Sequence, residues 1–217
     1  MTSSDCLALT ICDIEAERNC KNALKTFAKE TVQFVEDLKG FLDSEKSKVN
    51  KMWQLSYKIQ LLSSLTFKCL NFTRNPLNLY PPEVTETVLT EMVSELNSIV
   101  NGHGSKLIDV ESHLNNLTKS HRKFTSSCFQ LDWTLDLGII RGNESQKPLK
   151  YFMNTGNDVI TESKLITLNL RTAFDAIQLA DSITFENYKK TFVLADDFLN
   201  LLNEFLQYHV KLNHFPV

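Results

Sequence analysis

Glycine and proline are scarce in this chain, which has 6 glycines and 5 prolines among its 217 residues. Both residues concentrate in turns, and folds built from many short strands need many of them. Their scarcity argues against a turn-rich β fold and favours long uninterrupted helices. Hydrophobic residues make up 42% of the chain and charged residues 23%, which is ordinary for a folded protein and argues against intrinsic disorder.

An excess of positive charge is also missing. Lys and Arg number 23 against 26 Asp and Glu, and the basic residues are scattered, so a direct nucleic-acid surface is disfavoured. No stretch approaches the roughly 18 apolar residues of a membrane-spanning helix, and the first residues lack a secretory signal pattern. We therefore expect a protein of the nucleus and cytoplasm with no membrane partner.

The cysteines show no pairing pattern. They are odd in number and none stands in a Cys-x-x-Cys spacing, so they are predicted to be free thiols in a reducing compartment. The five are Cys6, Cys12, Cys20, Cys69 and Cys128. Cys69 and Cys128 fall on apolar helical faces, which favours small buried hydrophobes over reactive thiols.

Motifs that carry catalysis are missing as well. The chain has neither the paired Glu-x-x-His repeats of helical di-metal centres nor a His-Glu-x-x-His motif. It also has no Walker loop, dinucleotide fingerprint or nucleophile elbow. The sequence therefore predicts a protein that is not an enzyme, with no catalytic residue, metal or cofactor. A cysteine and histidine pair assembled only by the fold is the remaining enzymatic alternative.

What the chain does contain is helical periodicity. Apolar residues recur at alternating steps of three and four, the spacing that places them along one face of an α-helix. We call such a row a seam. The seams comprise Leu107, Val110, Leu114, Leu117, His121, Phe124, Cys128 and Leu131; Leu24, Phe27, Thr31, Phe34, Leu38 and Phe41; and Tyr188, Phe192, Ala195, Leu199, Leu202 and Leu206.

These seams predict an all-α fold, an elongated bundle of about six helices. Four helices form the bundle over residues 1–133, and a pair over residues 158–217 docks on it. The first two are predicted over about 13–43 and 44–72, with Ser44 as a cap. The charged Asp43-Ser44-Glu45-Lys46 segment is the predicted turn between them, and one continuous helix with a kink is the alternative. The Asn101-Gly102-His103-Gly104 segment is predicted to end the third helix, which starts at Pro82, and Ser105 to cap the fourth. The last two are predicted over about 158–181 and 185–212, the latter capped by Ser182 or Thr184.

Residues 134–157 are predicted to be a long connecting loop, because the periodicity stops near Asp132 and glycines and a proline appear. Ile139, Ile140, Tyr151 and Phe152 are embedded in this segment as hydrophobic anchors. Loops of such length are often functional, so the anchors are candidate partner contacts. Local packing against the bundle is an equally weighted alternative.

Trp53 is the fifth candidate contact. It lies among Val49, Met52 and Ile59 on a helical face, so it is an anchor either of the chain's own core or of a partner interface. An aromatic residue on a continuous apolar face is usually buried in its own bundle, which favours the core.

Several segments occur in the order found in a known family. They are Trp53, Leu61-Leu62-Ser63-Ser64-Leu65, Ser120-His121-Arg122 with Phe124, Ile177 to Asp181, and Leu199-Asn200-Leu201-Leu202. Together they resemble the AAA-ATPase-interacting ribosome maturation factor family, AIRIM, from about Phe34 to Tyr208. The first thirty residues and residues 132–157 are not covered. Ile177-Gln178-Leu179-Ala180-Asp181 departs from the aromatic-glycine pattern of the family, which puts the partner contact there in doubt.

The resemblance implies a non-catalytic adaptor subunit of an AAA-ATPase complex. The partners it implies are spermatogenesis-associated AAA ATPase subunits and a cyclin-dependent-kinase-interacting helical protein. The implied work is maturation of the large ribosomal subunit, with links to chromatin and replication. The seams alone support a second interpretation equally well, a structural coiled-coil subunit of a cytoskeletal or tethering complex.

Overall fold

The computed structural model describes residues 10–70, 82–142 and 147–207, and within these it leaves the side chains of residues 65–70 and of Pro82 undescribed. Over the described ranges, 87% of the residues are helical, in six helices and with no strand. The helices are α1 (Ile11–Leu70), α2 (Pro82–Phe129), α3 (Gly138–Arg141), α4 (Leu149–Asp175), α5 (Ser182–Lys190) and α6 (Asp196–Gln207). The predicted all-α fold is confirmed.

α1 is a single helix of 60 residues, so the predicted turn at Asp43-Ser44-Glu45-Lys46 is wrong and the helix continues through this segment. Its seam positions from Leu24 to Phe41 are all buried. Ser44 caps no new helix, because its hydroxyl donates to the Phe41 carbonyl of the preceding turn at 3.3 Å. Charged and hydroxyl residues are tolerated inside helices, whereas a proline would have broken this one. The predicted end at Phe72 lies outside the described residues.

α2 is likewise a single helix, of 48 residues, and contains the Asn101-Gly102-His103-Gly104 segment that was predicted to end one. Glycine costs only about 1 kcal/mol in a helix interior. A Cβ at Gly104 would lie 3.1 Å from the ring of Phe174, so this glycine is explained by close packing. The Ser105 hydroxyl donates to the Asn101 carbonyl at 3.2 Å, one turn back in the same helix, and is not a cap.

The predicted loop over residues 134–157 is largely wrong. α3 forms one helical turn within it, and α4 begins at Leu149 and not near residue 158. Pro148 stands just before α4, where its missing N–H leaves no helical hydrogen bond unmade. Polar residues in the first turns of α4 obscured its periodicity. α4 ends at Asp175, so the predicted helix end near residue 181 is also wrong.

The predicted last helix, over residues 185–212, is interrupted between α5 and α6. Asp181, and not Ser182 or Thr184, caps α5, because its carboxylate accepts the Ile183 amide N–H at 2.9 Å. Asp196-Asp197 opens α6, where the partial positive charge of a helix N-terminus favours acidic side chains. Residues 208–212 lie outside the described ranges.

The described residues fall into two compact units that alternate along the chain. Of the described residues, the first unit contains 10–37, 112–142, 147–165 and 194–207, and the second contains 38–70, 82–111 and 166–193. Each unit therefore contains parts of α1, α2 and α4. The predicted blocks 1–133, 134–157 and 158–217 do not coincide with these units.

Phe27 lies at the centre of the first unit's core. Its ring stacks on Phe124 with centroids 5.9 Å apart and meets Phe205 edge-on at 5.3 Å. His121, half-buried on its seam, contacts the same ring at 5.0 Å. Gly156 of α4 faces this cluster, and a Cβ there would lie 2.9 Å from Phe27 Cε1. Only glycine lets α4 approach the ring so closely.

Replacing Gly156 with alanine should therefore destabilise the protein by about 1–3 kcal/mol, because the added Cβ would lie 2.9 Å from the fully buried Phe27 ring and one of them must shift. The matched control is Gly102→Ala, since Gly102 is also helical but nothing lies within 4 Å of its Cβ position. That change should stabilise by up to about 1 kcal/mol. Urea denaturation followed by circular dichroism measures both, and stabilisation by both substitutions would contradict the packing at Gly156.

Candidate functional site

Trp53 lies at the edge of the second unit's core. Its side chain is half-buried, whereas Met52 and Ile59 beside it in the sequence are buried. The Trp53 ring stacks on Tyr57, one turn along α1, with centroids 6.0 Å apart and an interplanar angle of 15°. The Nζ atom of Lys189, from α5, lies 5.7 Å from the centroid of the same ring, within cation–π range. Trp53 is thus neither fully core nor fully exposed.

Two further apolar side chains continue this surface along α1. Tyr57 is 47% exposed and Leu61 is 44% exposed. At 100° per residue, Trp53, Tyr57 and Leu61 fall within about 80° of the helix circumference. We call these three residues the aromatic stripe. Lys46, seven residues before Trp53, is exposed on the same face.

A local excess of positive charge in the sequence also marks this region. Residues 46–82 contain five lysines and one arginine but no Asp or Glu, although the whole chain carries a net charge of −3. Counting charges over the entire chain conceals such a local excess.

The other candidate contacts, in the first unit, are partly internal. Ile139 and Phe152 are buried, so local packing is the correct alternative for these two. The Ile139 amide N–H donates to Glu17 Oε1 at 3.2 Å. Ile140 is half-buried, and Tyr151, also half-buried, donates its hydroxyl to Glu204 at 2.9 Å. None of these four residues lies in the same unit as Trp53.

The most polar part of the second unit's core is a network that the sequence did not predict. Glu45, His103 and Tyr188 have no exposed surface. His103 Nδ1 lies 3.0 Å from Glu45 Oε2, and His103 Nε2 lies 2.5 Å from the Tyr188 hydroxyl. Lys48 and Lys106, both near the surface, donate to Glu45 Oε1 at 3.0 and 2.5 Å. The carboxylate thus links α1 to α2, and His103 extends the network to Tyr188 of α5.

The protonation of the network follows from these contacts. Burial by itself would raise the pKa of Glu45, but the hydrogen bonds from Lys106, His103 and Lys48 together lower it to about 2. Burial lowers the pKa of His103, and the neighbouring Glu45 offsets this only in part. A neutral His103 then donates from Nδ1 to the carboxylate and accepts at Nε2 from Tyr188. Burial and the Glu45 charge raise the pKa of Tyr188, which keeps its hydroxyl protonated.

Glu45, His103 and Tyr188 are hydrogen-bonded in series, as in a catalytic proton relay. All three side chains are fully buried, however, so a substrate cannot reach them. Aromatic rings also surround His103, with Phe41 at 5.2 Å and Phe174 and Phe192 both at 5.7 Å. The network therefore supports a structural role. The sequence did contain a signal that Glu45 is buried. Glu45 lies seven residues after Leu38 and seven before Met52, which places it on the buried face of α1.

Two of the three described cysteines of the first unit lie together in its core. Cys12, Cys20 and Cys128 are free thiols. Cys20 and Cys128 are buried with their sulfur atoms 3.7 Å apart, and hydrogen bonding to Cys20 together with burial raises the pKa of Cys128. A thiol with a raised pKa is a poor nucleophile. Cys6 and the side chain of Cys69 lie outside the described part of the chain.

No described group of three His, Cys, Asp or Glu side chains could hold a metal ion. Among the described helices, none combines the length and apolar character needed to span a bilayer.

Comparison of the chain with protein-family models, with curated proteins and with solved structures gives no match. The fold and its candidate site thus define a helical protein with a buried polar network and an exposed aromatic stripe.

Tyr188→Phe should cost about 1–3 kcal/mol of stability, because it leaves His103 Nε2, which is fully buried, without its hydrogen-bond partner. The matched control is Tyr57→Phe, which removes the same hydroxyl from an exposed ring and should change stability by less than about 0.5 kcal/mol. Thermal melting compares the two. Equal effects would mean that the buried hydroxyl contributes no more than an exposed one.

The network should also make the folded state acid-sensitive. With the pKa of His103 lowered, only the unfolded chain takes up that proton as pH falls through about 6.5, so stability falls by at most about 1.4 kcal/mol per pH unit. Glu45, with its pKa lowered to about 2, adds a further loss as pH falls from about 4.5 toward that value. Denaturation across pH should show a flatter curve near pH 6 for His103→Gln and a flatter acid limb for Glu45→Gln. Curves parallel to that of the unaltered protein would contradict these protonation states.

Proposed function

We propose that this protein is a non-catalytic adaptor subunit of an AAA-ATPase complex that acts in maturation of the large ribosomal subunit, in the nucleus and cytoplasm. The observation that carries the proposal is the ordered resemblance to the AIRIM family. It runs from Trp53 through Ser120-His121-Arg122 to Leu199-Asn200-Leu201-Leu202. By the same resemblance the proposal extends to chromatin and replication.

The structure supports an adaptor role through its surface. The aromatic stripe exposes large side chains on a regular helix, and aromatic residues are enriched where proteins bind one another. The polar groups that could do chemistry in the second unit are instead enclosed in its core. In this proposal the AAA ATPase supplies force, and a cyclin-dependent-kinase-interacting helical protein is a further subunit.

A structural coiled-coil subunit of a cytoskeletal or tethering complex is the second candidate. The lengths of α1 and α2, 60 and 48 residues, favour it, because helices this long are typical of coiled coils.

Affinity purification of the tagged full chain from its own cells separates the two functions. We expect an AAA ATPase together with pre-ribosomal proteins, and depletion of the chain should lower free large ribosomal subunits relative to small ones in sedimentation profiles. The tag expressed alone is the control. Recovery of microtubule or vesicle-tethering subunits with an unchanged subunit ratio would replace the first function by the second.

A further inference from the structure

The aromatic stripe combines apolar contact area with positive charge, and this combination specifies the chemistry of a partner. We propose that Trp53, Tyr57 and Leu61, flanked by Lys46 and Lys189, bind an acidic amphipathic helix of a partner protein. The inference deepens the proposed adaptor function and rests on it for the existence of a partner. It is independent of which complex that partner belongs to.

The apolar part of this surface is already ordered for binding. The Trp53 ring contacts both Tyr57 and the Lys189 ammonium, and each contact reduces the side-chain freedom that binding would remove. Tyr57 and Leu61 expose nearly half of their surface beside it. Side chains at steps of four residues form a ridge along α1, and the groove of a second helix accepts such a ridge.

The charge of the surface selects an acidic partner. Lys48 and Lys51 form ion pairs with Glu45 and Glu95, and Glu45 is shared with Lys106. Lys46, Lys58 and Lys189 have no carboxylate partner within 4 Å among the described residues. No acidic residue of α1 follows Glu45, so the part of the helix beyond Glu45 offers nothing to balance these cations. Carboxylates on an approaching helix would provide the complement.

A protein helix fits these observations better than a nucleic acid or a membrane. Nucleic-acid affinity depends on many neutralised phosphates, and recognition of anionic lipid typically uses clusters of about four to eight basic residues. The three unpaired lysines among the described residues are too few for either. Single-stranded nucleic acids also need aromatic faces open for base stacking. Both Tyr57 and Lys189 lie against the Trp53 ring, which limits such stacking.

A displayed library of helical peptides tests the partner chemistry without knowledge of the partner. The peptides are about 18 residues long, or five turns, with randomised faces. The bait is the full chain, and Tyr57→Ala and Lys189→Glu chains are counter-baits. Selection should enrich peptides with Leu or Phe along one face and Asp or Glu beside it. Enriched peptides should bind at least about tenfold more weakly to each variant in fluorescence anisotropy at physiological ionic strength.

Matched controls come from the first unit. Phe129→Ala removes an aromatic side chain that is 76% exposed, and Lys119→Glu makes the same change of charge as Lys189→Glu on another exposed lysine. Both should bind the enriched peptides as the unaltered chain does. Trp53→Phe and Trp53→Ala complete the series, with thermal melting to show that each variant is folded. The Tyr57 and Lys189 variants alter exposed positions and decide the outcome even if Trp53→Ala unfolds.

The inference requires that acidic peptides are enriched and that they bind the Tyr57 and Lys189 variants more weakly; the following outcomes would overturn it. Enrichment of basic or uncharged peptides, or equal binding to bait and counter-baits, would show that this surface does not select acidic helices. Binding of a uridine oligomer, or of vesicles of equal parts phosphatidylserine and phosphatidylcholine, that is lost in the same variants while no acidic peptide is enriched would assign the surface to nucleic acid or lipid. Failure to purify an AAA ATPase would remove the proposed complex but leave a positive peptide selection standing.

Discussion

The buried carboxylate of Glu45 constrains the second unit more than any other group described in it. An ionised side chain removed from water costs several kcal/mol unless its oxygens receive hydrogen bonds and a compensating charge. Lys48, Lys106 and His103 provide them, and Tyr188 completes the chain beyond the imidazole. Because these groups come from three helices, sliding any one helix by a residue would leave a charge or a polar ring buried without its partner.

The same constraint explains why α1 and α2 continue through segments whose composition suggests breaks. Glu45 follows the charged segment at Asp43-Ser44, and His103 lies between two glycines. Each must point inward from a regular helix to meet the other at 3.0 Å. Gly104 then allows the Phe174 ring to close over the imidazole. Glycine and short polar residues usually end helices. In α1 and α2 they instead flank the contact between Glu45 and His103 and allow the packing around it.

In the second unit, the ionisable groups with shifted pKa values are thus separate from the exposed side chains that are suited to binding. Its most perturbed ionisable groups, Glu45, His103 and Tyr188, are enclosed and serve stability. Its exposed face presents Trp53, Tyr57 and unpaired lysines, which suit recognition. In the first unit, by contrast, the candidate contacts Ile139 and Phe152 are used for the core, which leaves Ile140 and Tyr151 partly accessible.

The sequence alone determined the helical class and most of the inward-facing residues, because a spacing of three and four places a side chain on one helix face regardless of its partners. All six seam positions of α1 are buried for this reason. Tertiary structure decided that Gly104 does not end a helix but makes room for the Phe174 ring. It also decided that Trp53 lies at the edge of the core and not inside it. It also paired His103 with residues 58 and 85 positions away, a contact between distant helices that no local spacing specifies.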